Sequence, residues 1–203
     1  MRRSIRLIAV LVMLGGALWA DPVIQLIGSS GTVGDGGLLV PIGLSGGWGF
    51  QITNDSATLW MASTLSDFCP GGVFISPCSN PFGPYTDRYG PDFVVVAPLT
   101  TVIELFDVPA GDGTGAIALT SPGIHPGDVV SGQVFFVYDN YDGDPNSIGN
   151  QVGGDVVFGV DASVTAEEAT PEPRAWSLVA LGLAAFSAVR LRQRRHRAIP
   201  GGS

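Results

Sequence analysis

The chain of 203 residues has no lysine, two histidines, two cysteines and four glutamates. Each scarcity removes a class of chemistry. A Walker phosphate loop needs a lysine, and the Gly-rich stretches 31–37 and 111–115 do not stand between a strand and a helix as a dinucleotide fingerprint does. Both read as turns. His196 lies in a basic C-terminal tail, so any Ser-His-Asp or Cys-His site elsewhere would have to use His125. That residue sits between Ile124 and Pro126 with no nucleophile-elbow pattern, and reads as a loop residue. Cys69 and Cys78 have no histidine nearby and the wrong spacing for a zinc hairpin. They read as a disulfide formed in an oxidising compartment, closing a short loop worth about 2–3 kcal/mol. Glu104, within TVIELF, is the only glutamate before position 167 and reads as a solvent-facing strand residue. Aspartates are so many that a pair suited to glycoside hydrolysis carries little information.

Charge is strongly segregated. Residues 1–20 carry three arginines and no acid; residues 21–173 carry all 18 acids and one arginine, Arg88; residues 174–203 carry six arginines. The middle is thus a body of net charge −17 between two basic ends. Such a body repels phosphates, which disfavours nucleic acid as a partner.

Each basic end borders an apolar stretch. Arg2, Arg3 and Arg6 precede the 13 uncharged residues Leu7 to Trp19, and Ala20 offers a small residue before Asp21. This is the layout of a signal peptide, 1–20, cut after Ala20. At the other end, Pro171, Glu172 and Pro173 lie in a linker, 169–174. Fifteen uncharged residues follow, Ala175 to Val189, and then Arg190, Arg192, Arg194, Arg195 and Arg197. Fifteen helical residues span about 22 Å, short of the roughly 30 Å hydrocarbon core. A snorkelling Arg190 lets Leu191 extend the expected transmembrane helix to 175–191. The basic tail, 192–203, should stay cytoplasmic, which puts the acidic body outside the inner membrane.

Pro-Glu-Pro, one short apolar helix and a terminal arginine cluster together resemble the C-terminal sorting signal of PEP-CTERM proteins. The resemblance covers about residues 170–197. It implies recognition by an exosortase, a membrane-embedded processing enzyme, and delivery to the cell surface or the exopolysaccharide matrix.

The body, 21–168, has the length of one domain. Glycine and proline, 29 and 15 in the whole chain, combine with short apolar runs to indicate strands joined by turns. Strands are expected at Val23–Ile27, 38–44, 93–97, 101–106, 115–120 and 129–138. Trp48, Phe50 and Ile52 alternate with Gly49, Gln51 and Thr53, and a turn at Asn54-Asp55-Ser56 suggests a hairpin with 57–63. Near the end, Val156, Phe158, Val160, Ala162 and Val164 mark a strand buried on one face. The expected class is all-β, an antiparallel sandwich of eight to ten strands.

Asp139, Asp142 and Asp144 crowd a turn after a strong strand. Hard oxygen donors there suit Ca²⁺, though not with EF-hand spacing; the plainer reading is a solvated acidic turn. No other cofactor is expected. Trp48 and Trp60 fit either core packing or a sugar-stacking platform. The leading functional expectation is a non-catalytic surface or matrix protein. Behind it come an exopolysaccharide-binding module and a secreted hydrolase using paired carboxylates.

Overall fold

The computed structural model describes residues 22–87, 94–107 and 112–169. The expected signal peptide, the Pro171-Glu172-Pro173 motif, the helix 175–191 and the arginine cluster lie outside the described residues. Among the described residues the chain is all-β, and no helix is long and apolar enough to cross a membrane.

Among the described residues eleven strands build three sheets, more than the eight to ten expected. The first contains β1 (Val23–Ile27), β4 (Gly49–Asn54) and β8 (Thr100–Glu104), in the order β1-β4-β8. The largest contains β2 (Gly37–Pro41), β5 (Trp60–Pro70), β7 (Val94–Val96), β10 (Val129–Tyr141) and β11 (Val156–Glu167), in the order β2-β11-β10-β5-β7. A small sheet joins β3 (Ser45–Gly47), β9 (Gly115–Ala118) and β6 (Tyr85–Asp87), in the order β3-β9-β6.

Alternation in the sequence becomes inside and outside in the fold. Val134, Phe136 and Tyr138 of β10 point inward, and Phe68 and Met61 of β5 join them in one core cluster. Ile24 and Leu26 of β1 and Phe50 and Ile52 of β4 close the cluster from the other sheet. The Phe50 and Phe136 rings meet edge to face across it at 6.4 Å, the favoured geometry for aromatic pairs. Trp48, fully buried, packs on Phe68 at 5.2 Å and donates its indole N–H to the Gly36 carbonyl.

Two sequence-based expectations are corrected. First, β4 and β5 do not form a hairpin. β4 pairs with β1 and β8, while β5 pairs with β10 and β7. The Asn54–Ser56 segment does turn the chain, but it carries it from one sheet to the other. Asn54, 3 % exposed, donates to the Leu59 and Val96 carbonyls at 2.8 and 3.1 Å and accepts from Ser56 N–H at 3.0 Å. The corner is held by a buried side chain rather than by ladder bonds between its arms.

Second, the sheets are not purely antiparallel, because β2 pairs with β11 in parallel. The chain runs up β1, loops out at Gly28 and returns at Asp35 in a parallel bridge with Ile27. It therefore enters β2 still heading the same way, now in the other sheet. Close packing marks the crossing: a Cβ on Gly28 would lie 2.0 Å from the Gly37 carbonyl oxygen, and one on Gly36 2.3 Å from that of Asp161. Consequently β1 begins toward the corner held by Asn54, and β11 leaves the domain at the opposite end.

Candidate functional site

The acidic segment expected to hold a metal is the loop joining β10 to β11. Tyr138 pairs with Val156, so Asp139 and Asp155 are the next cross-strand neighbours on a shared face. Asp139 is held above the usual carboxylate range, first by burial and then by the charge of Asp155, with which its carboxyl also hydrogen-bonds. Gln151 Nε2 donates to Asp139 Oδ1 at 2.8 Å and opposes that rise.

The other two aspartates serve the loop backbone. Asp142 Oδ1 accepts the Asn150 backbone N–H at 2.7 Å, which holds its carboxyl below the usual range. Asp144 Oδ1 accepts Asn146 N–H at 2.9 Å, while its carbonyl receives the N–H groups of Ser147, Ile148 and Gly149. Asp144 caps the amide two residues on, as in an Asx turn, whereas Asp142 reaches across the loop to Asn150. Asp139, Asp142 and Asp144 therefore each face a separate partner. The one cluster of three potential ligand groups among the described residues is Asp67, Cys69 and Cys78.

In that cluster the cysteines are joined in a disulfide, as expected, with Cα atoms 5.0 Å apart. Asp67, buried at 6 % exposure, accepts the Cys78 backbone N–H at 2.9 Å through Oδ2. The carboxylate thus clamps the far side of the loop. Phe74, within the loop, packs at a tilt against Phe135 with ring centres 5.2 Å apart, so the loop folds over the outer face of the large sheet.

A buried polar network went unseen in the sequence. Ser66 of β5, Tyr85 of β6 and Thr114 just before β9 meet where the small sheet abuts the large one. Ser66 Oγ and Tyr85 Oη lie 2.9 Å apart, Ser66 donates to the Thr114 carbonyl, and Tyr85 donates to Thr114 Oγ1 at 3.3 Å. Enclosure raises the Tyr85 hydroxyl above its ordinary value. The only hint was a serine in the inward register beside Phe68. The network ties β5, β6 and β9 together; a neutral phenol so disfavoured to ionise is a poor base at neutral pH.

Other candidates resolve more simply. His125 is exposed, with Nδ1 3.7 Å from Asp128 Oδ2 in its own turn, and Asp128 also accepts His125 N–H at 2.7 Å. Glu104 is half-buried, and Oε1 accepts Gly113 N–H at 2.7 Å, binding β8 to the segment before β9. Trp48 belongs to the core and Trp60 is half-buried at the start of β5. They do not form a shared exposed platform.

Among the clefts that open on the described surface are two of a few hundred cubic ångströms. One of about 310 Å³ is walled by Leu38, Leu39, Leu105, Phe106 and glycine backbone. The other, about 490 Å³, is lined by Gly34, Gly36, Gly37, Ser131, Gly132 and Asp161 among others. Its only carboxylate, Asp161, already accepts Gln133 Nε2 at 2.9 Å. Neither wall contains two carboxylates. The chain matches no protein-family model and no curated protein.

Proposed function

We propose that the protein is an exported, non-catalytic surface or matrix component. In this reading an acidic β-sandwich is held by a C-terminal membrane segment and carries a sorting signal read by an exosortase-type enzyme. The observation that carries it is the order of elements along the chain. A basic-apolar leader precedes an acidic, disulfide-bonded all-β body, and Pro171-Glu172-Pro173, an uncharged run and an arginine cluster follow. The disulfide fits an oxidising compartment. Structural employment of the titratable groups fits a non-catalytic role. His125 is exposed in a turn, and most of the aspartates described above cap backbone.

Intact-mass analysis of the protein recovered from its native cells tests this. A chain running from Asp21 to near Pro173 is the expected product. A chain retaining residues 174–203 refutes processing at the motif. A chain retaining residues 1–20 refutes cleavage of the leader.

A further inference from the structure

β11 ends at Glu167, and five residues, 170–174, separate Ala169 from the uncharged run 175–189. Extended chain covers at most about 3.3–3.6 Å per residue, so five residues reach under about 18 Å. If that run lies in a bilayer, the end of the domain that Glu167 leaves lies beside the lipid. Several segments gather at this end. Ile42 N–H donates to the Glu167 carbonyl, Gly127 N–H to that of Ala166, and Leu119 N–H to that of Leu44.

Three large apolar side chains stand exposed at this end, as others do elsewhere on the described surface. Leu39, Thr165 and Val129 form one cross-strand row, with Thr165 paired to both neighbours. Leu39 is 50 % exposed and Val129 57 %, and Leu44, in the turn beyond Pro41, is 57 % exposed. Asp139, Asp142, Asp144 and Asp155 sit at the opposite end, where β10 passes into β11. Glu167, Glu168 and Asp128 remain at the near end, so anionic headgroups would be repelled there.

We propose that this end docks on the bilayer that anchors the chain, with Leu39, Leu44 and Val129 entering the headgroup layer of zwitterionic lipid. The proposal rests on the membrane-anchor reading above and concerns the chain before processing at Pro171-Glu172-Pro173. A short tether holds the domain at millimolar effective concentration, so a contact too weak to retain a free domain retains this one.

The test uses the full chain reconstituted in phosphatidylcholine vesicles whose acyl chains are brominated near the headgroup. Tryptophan is introduced singly as Leu44→Trp, Val129→Trp and, at the far loop, Ile148→Trp, where the native side chain is 85 % exposed. The added emission over the unsubstituted chain is then read. The expected result is loss of most of it for Leu44→Trp and Val129→Trp, with none for Ile148→Trp; added phosphatidylglycerol should weaken the quenching. A chain that floats with the vesicles but leaves all three emissions equally bright overturns the docking while the anchor stands. A blue shift without quenching means that protein, such as a second copy, covers Leu44, and also overturns it. A chain that does not float overturns the anchor reading and the docking together.

Discussion

Asn54 is the residue whose replacement tests the logic of the fold most directly. Its side-chain nitrogen donates to one carbonyl just before β5 and to another in β7, while its oxygen receives Ser56 N–H. Alanine leaves those three backbone groups without their partner. At about 1 kcal/mol for each lost bond, and more where a carbonyl stays buried, Asn54→Ala should destabilise by about 3 kcal/mol. For a domain of this size that lowers the melting temperature by about 6–12 °C. Asn54→Asp is the sharper probe. It keeps the shape and the acceptor for Ser56, but it turns an oxygen toward two carbonyl oxygens. It should therefore destabilise at least as much as alanine. Guanidinium unfolding followed by the fluorescence of buried Trp48 reads both variants. If Asn54→Asp stays within about 1 kcal/mol of the parent, the corner is not held by donation and the account is wrong.

Three further outcomes are expected. Cys69→Ser paired with Cys78→Ser should lose about 2–3 kcal/mol in denaturant unfolding, and an unchanged midpoint would show that Asp67 alone secures the loop. Asp139 has its pKa raised in the fold, so its contribution is most favourable at acid pH and is lost as pH rises through the raised value. Asp155→Asn removes the facing charge and should stabilise at pH 7 but not near pH 3; equal effects at both would show that the two carboxyls do not interact. Asp35 is held low chiefly by the Ser30 hydroxyl, then by Gly37 N–H, so its contribution is present at neutral pH and lost as pH falls. Ser30→Ala should move the Asp35 titration upward by NMR, and an unmoved titration would contradict that assignment.

Much of the strand content was legible because a half-buried strand announces itself by alternation. β1 coincides with the expected run, and β11 buries Ala162, Val164 and Ala166 on the face that the pattern marks. Partners and directions were not legible. Asn54-Asp55-Ser56 is ordinary turn chemistry, and nothing local says whether the next strand folds back or crosses to another sheet; Val96, 42 residues away, decides that. The parallel pairing of β2 escaped notice because alternation reports burial and not polarity. β3 offers Ser-Gly-Gly and no side-chain pattern, and β6 lies close after a Pro-Phe-Gly-Pro stretch. At the acidic loop the residue type was visible, but the loop amides that occupy Asp142 and Asp144 were not.

The sheet change between β1 and β2 also sets how the domain bears load. Tension applied between the first residue of β2 and the last residue of β11 would pull the two strands past one another along their length. The five paired positions from Gly37–Ser163 to Pro41–Glu167 then resist together, in shear. An antiparallel pairing pulled from adjacent ends would unzip one rung at a time. The crossover between sheets thus gives this strand pair a geometry that bears load along its length rather than rung by rung.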